Sequence, residues 1–170
     1  MAKWNDTDEP IAYLITFRTY GTWLAGDERG SIDKYHNKYG APRSVPSRLR
    51  VERHAKRLKS QPFLLNAKCR TLVESAIREV CDFRGWSLIA ISVRTNHTHV
   101  VSSGAANSSK MLNDFKSYST RRMREHCEWD FDHSPWVDKG SRRNLWTEEH
   151  VNSAHNYVMF GQGGPLPEFD

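Results

Sequence analysis

No apolar run in this 170-residue chain approaches the length of a membrane helix, which needs about 20 consecutive apolar residues. Cysteine is scarce. Cys69, Cys81 and Cys127 are odd in number and widely spaced, and no CxxC pair exists. That pattern argues against a zinc knuckle or a disulfide framework and for ordinary thiols in a reducing compartment. The first ten residues, MAKWNDTDEP, hold no apolar stretch and no small-residue cleavage site. No signal peptide is expected, and a cytoplasmic location is. Internal repeats and low-complexity tracts are also missing.

What is present suits a folded protein. Hydrophobic residues make up 38%, with six Trp and seven Phe, too apolar for a disordered chain. The length fits one domain over residues 1–170. The net charge is +5, which permits a nucleic-acid partner without requiring one. Its distribution is more informative. Arg43, Arg48, Arg50, Arg53, Lys56, Arg57 and Lys59 face one acid, Glu52, in a single stretch, and smaller clusters lie at Arg121, Arg122, Arg124 and at Lys139, Arg142, Arg143. Any one cluster reads equally well as a solvated face. Three in a short basic chain favour contact with phosphates.

Periodicity supplies the elements. Ala12 to Tyr20 is apolar, aromatic and β-branched, and reads as a central strand. Residues 21–62 form a turn-rich, basic insertion with a short helix over Ser47 to Leu58. Asn66 is a suitable N-cap for a helix to Phe83 whose stripe is Leu72, Val73, Ala76, Ile77 and Val80. Trp86 to Arg94 alternates as a strand. Thr95-Asn96 turns it into a second strand, His97 to Ser102, giving an antiparallel hairpin. Ser108 or Ser109 caps a helix to Glu125, a weak strand spans Arg143 to Trp146, and Thr147 caps a last helix, Glu148 to Phe160. This is an α+β order, βαββαβ plus a C-terminal helix. It matches a ferredoxin-like or RRM-like antiparallel sheet with two helices on one side, leaving the last helix for the other.

Three features carry chemistry. His97 and His99 sit at i and i+2 on a strand, so both imidazoles share a face and reach one divalent ion. Water, substrate phosphate and one more side chain would complete the coordination. The plain alternative is a pair of surface histidines. Tyr157 lies at the edge of the Val151, Ala154, His155, Val158 stripe, where its hydroxyl can reach a groove; taken alone it reads first as an ordinary amphipathic tyrosine. Gln162, among Gly161, Gly163 and Gly164, is a third ligand or merely part of a helix terminus.

Together these motifs resemble the single-tyrosine HUH transposases, in particular the branch associated with repetitive extragenic palindromes. The resemblance covers Tyr13 to about Pro165. The HUH motif falls on His97-Thr98-His99 in the hairpin, and the nucleophilic tyrosine and its following Gln fall on Tyr157 and Gln162. Three departures stand out. Thr98 replaces a large apolar residue, Gln162 follows the tyrosine by five residues rather than four, and the Gly21 to Pro62 insertion is longer than in minimal members.

The resemblance implies metal-dependent cleavage and rejoining of single-stranded DNA near a hairpin or palindrome through a 5'-phosphotyrosine link. It also implies Mg²⁺ or Mn²⁺ held by His97, His99 and Gln162, and action at the nucleoid. Both two-fold dimers and monomers occur among such proteins, so a homodimer is one expected state. A tyrosine phenol is a weak nucleophile at neutral pH, so the cation's help is needed. Arg53, Lys56, Arg57, Arg121, Arg122, Arg142 and Arg143 are the candidate DNA contacts, and Trp23, Tyr35 and Tyr39 the candidate base-stacking rings. Tyr118 is the alternative nucleophile.

Other readings compete. A relative of this family that binds hairpins without cutting keeps the fold. An RRM-type RNA binder is disfavoured because HTHVVSSG lacks the basic-glycine-aromatic pattern of those domains. A metal-dependent nuclease would add Asp114 or Asp138 to the histidines. In a purely structural protein the histidines would have no special role.

Overall fold

A computed structural model describes residues 8–30 and 42–167. Its sheet has four strands, β1 (Ala12–Arg18), β2 (Ser87–Val93), β3 (His97–Ser103) and β4 (Ser141–Leu145). They lie in the order β2-β3-β1-β4 with every pairing antiparallel. The helices are α1 (Arg48–Ala55), α2 (Ala67–Arg84), α3 (Ser108–Glu125) and α4 (Glu148–Phe160). The fold is α+β with the ferredoxin-like strand order expected from the sequence. Among the described residues no helix is long and apolar enough to cross a membrane.

The strand period divides the sheet into two faces. Ile15 and Phe17 of β1 and Val100 of β3 face α2 and α3. There they meet Val73, Ile77 and Val80 of α2 and Met111, Phe115 and Met123 of α3 in the larger core. Trp136 closes that core with an edge-on contact to Phe17, ring centres 4.8 Å apart. On the other face, Ala12, Ala90, Val101 and Leu145 pack against Ala154 and Val158 of α4 in a much smaller core.

β2 departs from simple alternation. The sequence reading puts Leu88 with Ala90 and Ile89 with Ile91. A register shift between Leu88 and Ala90 breaks this. Leu88 and Ile91 therefore share the larger core, while Ile89 and Ala90 share the smaller one. One extra residue in a strand reverses the facing of those before it relative to those after it.

Local chemistry fixes the helix ends. The Asn66 side chain accepts from Cys69 N at 2.8 Å, and Gly85 closes α2 in the left-handed region at φ 69°, where a side chain would be strained. α3 is capped by Asn107, which accepts from Lys110 N at 2.9 Å, rather than by Ser108 or Ser109. All three are good N-cap residues, so composition cannot choose among them. Thr147 caps α4 as expected, accepting from His150 N at 3.1 Å.

Candidate active site

The α4 face is where the chemistry-bearing residues gather. His97 pairs with Arg18 across the β1–β3 ladder, and His99 pairs with Thr16. Opposed residues in a ladder point to the same side. Thr16, Arg18, His97 and His99 therefore share a face, continuing the row that begins with Ala12 and Leu14. The His97 and His99 rings are 4.8 Å apart at their centres, and the Tyr157 ring lies 5.3 Å from that of His99. Tyr157 is 49% exposed, one helical turn along from buried Ala154. Its ring thus sits at the helix edge, half exposed and beside His99.

Thr98, between the two histidines, points the opposite way. It pairs with Phe17 and Val93, is fully buried in the larger core, and its hydroxyl has no hydrogen-bond partner. The site would favour an apolar side chain, and threonine leaves a buried polar atom unsatisfied.

Both histidines are tied at one ring nitrogen. His97 Nδ1 lies 2.7 Å from Asn96 Oδ1. A carbonyl oxygen only accepts, so this short contact favours the tautomer with its proton on Nδ1. His99 Nδ1 lies 2.6 Å from Thr16 Oγ1. The Nε2 atoms are left to face the site. Burial pushes the His97 imidazole below its usual range. Burial also pushes His99 down to about 4, with repulsion from His97 adding to it. Both rings are therefore neutral near pH 7.

Gln162 reaches this pair despite its spacing. The chain leaves α4 through Gly161, whose N–H donates to the Tyr157 carbonyl at 3.0 Å, and the Gln162 side chain folds back over the same turn. Its Nε2 donates to the Tyr157 carbonyl at 3.0 Å, which aims Oε1 at His97 Nε2, 3.3 Å away. The tail is pinned beyond this point by Arg94, which donates to the Gly164 carbonyl at 3.0 Å. The extra residue between tyrosine and glutamine is taken up in the turn after the helix.

The result is a glutamine oxygen 3.3 Å from His97 Nε2, beside the His99 ring. In the neutral tautomer with its proton on Nδ1, His97 Nε2 and Gln162 Oε1 both offer lone pairs, which a cation between them would satisfy. A neutral imidazole pair with tied far nitrogens, plus an amide oxygen, is a donor set suited to a divalent ion. Among the described residues no group of three or more His, Cys, Asp or Glu forms a metal cluster, so any site here depends on the amide. Asp114 does not join it. It is buried against α2, accepting from Arg84 at 3.1 Å and Lys110 at 2.7 Å. Asp138 is exposed and beside Lys116, on the α3 side. Tyr118 packs against the larger core under Arg121, across the sheet from the histidines.

The basic candidates divide. Arg53, Lys56 and Arg57 are exposed on α1 and just after it, and no side-chain partner engages them among the described residues. Arg122 ties α3 to α2 through Glu79 and Ser75. Arg142 bonds Ser109 at the start of α3. These two serve the scaffold on the far face, and Arg121 is exposed on that same helix. Arg143, opposite Leu14, is exposed on the α4 side.

One group escaped the sequence reading. Arg18 lies 3.5 Å over the centre of Trp23, with Arg29 at 4.0 Å and Arg43 at 5.6 Å. Trp23 is thus already engaged by guanidiniums, which compete with the base-stacking role expected of it. Tyr35 and Tyr39 lie outside the described residues.

Two properties of the molecule define its class, an antiparallel α+β sheet and a sequence that matches a family of DNA-mobilising enzymes. The profile of the IS200-like transposases matches residues 54–156, well over half of the chain. This protein belongs to that family. The matched span stops one residue short of Tyr157. Among solved structures the chain is similar to a REP-associated tyrosine transposase bound to a REP hairpin. Identity is 11% over 93% of this chain and 70% of that one, with a TM-score of 0.47. It is also similar to a candidate transposase from Deinococcus radiodurans R1, at 13% identity over 97% of this chain and 100% of that one, again with a TM-score of 0.47. No curated protein matches. Family membership makes this a transposase-type protein that acts on DNA, and members generally use a divalent metal.

Proposed function

We propose that the chain cleaves and rejoins single-stranded DNA, near a hairpin or palindrome, with Tyr157 as nucleophile and a divalent cation, Mg²⁺ or Mn²⁺, held by His97, His99 and Gln162. The observation that carries this reading is the gathering of His97, His99, Gln162 and Tyr157 on one face, with Gln162 Oε1 3.3 Å from His97 Nε2 and the Tyr157 ring 5.3 Å from that of His99. The cation would draw electron density from the phosphate and offset its added negative charge.

The chain's own residues supply the rest. Asn96 and Thr16 orient the imidazoles. α4 presents the phenol beside them, and Gln162 ties the end of that helix to the histidines. Attack of Tyr157 Oη on phosphorus forms a phosphotyrosine bond to the 5' side. The P–O3' bond breaks and its electron pair stays on the 3' oxygen, which takes up a proton as the phenol gives one up. The reverse attack by a 3'-hydroxyl rejoins the strand. The whole chain, with its insertion at 21–62, acts as one catalytic domain. A homodimer is compatible with this reading.

The nuclease alternative lacks its acid, since Asp114 is committed to Arg84 and Lys110. An RRM-type reading meets a further obstacle, because α4 covers the sheet face that such domains use. The test combines Mn²⁺ titration calorimetry with a denaturing gel of a hairpin-flanked single strand. His97→Ala and His99→Ala should each lower metal affinity and reduce cleavage about 100-fold or more, with the melting temperature little changed. A covalent protein–DNA band supports the proposal. Free cut ends without it would favour hydrolysis, and a mobility shift without cutting would indicate a binding protein. Unchanged metal affinity and activity in both variants would remove the site.

A further inference from the structure

Arg18 ends β1 opposite His97, on the face that carries His99 and Tyr157. It is close enough to all three for electrostatic influence. It is partly buried, yet among the described residues its side chain has neither a hydrogen-bond acceptor nor an ion-pair partner. An unpaired guanidinium away from water is costly, and burial together with Arg43 and Arg29 holds it down to about 10.

The surroundings keep it there. Trp23 is fixed by its indole N–H, which donates to the Gly30 carbonyl at 3.1 Å. Gly30 holds φ 79°, and a Cβ on it would come within 2.8 Å of Arg43 Cβ, so glycine both makes the turn and admits that arginine. Arg29, also against the indole, is neutralised by Asp27 through contacts of 2.7 and 2.6 Å. Arg43 donates to the Arg29 carbonyl at 3.2 Å. The one acid of this group is committed to Arg29. Stacking occupies the flat face of the Arg18 guanidinium and leaves its N–H edge free, the edge that binds phosphate oxygens.

We propose that Arg18, braced by Trp23, binds the non-bridging oxygens of the DNA phosphodiester that lies over His97 and His99, with Trp23 as its positioning residue. The proposal rests on the reading of His97, His99 and Tyr157 as the reacting centre. It adds a cationic wall beside that centre, where negative charge develops during transfer.

The test separates the two ideas. Fluorescence anisotropy with labelled oligothymidylate, in EDTA across a salt series, reads phosphate contacts without metal or chemistry. Arg18→Gln should lower the salt slope by about 0.7, the value for one single-strand contact. Arg18→Lys should keep the slope. Adduct formation with Mn²⁺ on a hairpin-flanked strand should fall about 100-fold in Arg18→Gln. It should recover only partly in Arg18→Lys, which lacks the planar fork. Trp23→Leu should lower adduct formation as Arg18→Gln does, and Trp23→Phe, which keeps an aromatic face, should retain most of it. One methylphosphonate at the cut linkage should slow the wild type far more than Arg18→Gln, while one at a neighbouring linkage should slow both equally. A slope unchanged in Arg18→Gln overturns the proposal, as does a methylphosphonate effect confined to a neighbouring linkage. A wild type that cuts without an adduct overturns the tyrosine reading alone; the lowered slope in Arg18→Gln would still support the phosphate contact.

Discussion

The two faces of the sheet differ in what they bury and in what they leave unpaired. The α2/α3 face holds the bulk of the apolar side chains, and several of its charged residues pair with one another: Arg122 with Glu79, Arg84 and Lys110 with Asp114. The α4 face has a core of small residues, Ala12, Ala90, Val101, Ala154 and Val158, capped by Leu145. At one end it gathers two neutral, largely buried imidazoles, an amide oxygen, a half-exposed phenol and a partly buried arginine with no acidic partner among the described residues. The α2/α3 face closes its ion pairs among its own residues, although the Thr98 and Ser119 hydroxyls stay buried there without a partner. A face that must meet a ligand keeps some of its polar groups for it.

This contrast breaks down if the far face does not dominate stability. Phe115 is fully buried between α2, α3 and the sheet, so Phe115→Ala should cost about 3–5 kcal/mol. Urea unfolding measures it, and a loss below about 1 kcal/mol would show that the larger core is not the main source of stability. Any loss of DNA cleavage in that variant should track the unfolded fraction.

The basic residues sharpen the comparison. Neutralising Arg53, Lys56 and Arg57 together should weaken single-strand binding and lower the salt slope by about 0.7 for each phosphate contact they make. Arg122→Gln and Arg142→Gln, on the far face, should leave the slope alone and change stability by about 1 kcal/mol or less. Anisotropy across a salt series distinguishes the sets, and equal slopes in all variants would return α1 to a solvated helix.

Much of the scaffold was legible in the sequence and less of the site. Helical stripes, the Asn66 and Thr147 caps and the alternating hairpin placed the long helices and the central strands, because each depends on neighbours a few residues apart, whereas β4 begins at Ser141 rather than Arg143. The β2 bulge was not legible, since a register shift is set by the partner strand rather than by the alternation of β2 itself. His97 and His99 were legible as a pair because strand geometry alone puts them on one face. Gln162 joined them only through the family resemblance, because its spacing alone does not say how the chain turns after Phe160. Arg18 carried no signal at all. Its partners Trp23, Arg29 and Arg43 are spread along an insertion without a period, and only the turn at Gly30 assembles them.

The smallest expected effect lies between the histidines. Thr98→Val keeps the shape and removes a buried hydroxyl that has no partner. It should be neutral or stabilising by up to about 1 kcal/mol, with cleavage retained. Thermal unfolding checks the first and a gel the second. A loss of activity at unchanged stability would mean that Thr98 serves the reactive face after all.

The central claim is that α4 delivers a nucleophile to that face. Tyr157→Phe removes one exposed hydroxyl and keeps the ring beside His99, so the variant should fold, bind metal and bind a hairpin-flanked single strand. The most direct measurement is peptide mass mapping of the DNA adduct formed by the unaltered protein, set beside denaturing gels of Tyr157→Phe and Tyr118→Phe. An adduct on Tyr157, lost in Tyr157→Phe and kept in Tyr118→Phe, is the predicted result. An adduct on Tyr118, or one that survives in Tyr157→Phe, would contradict the account.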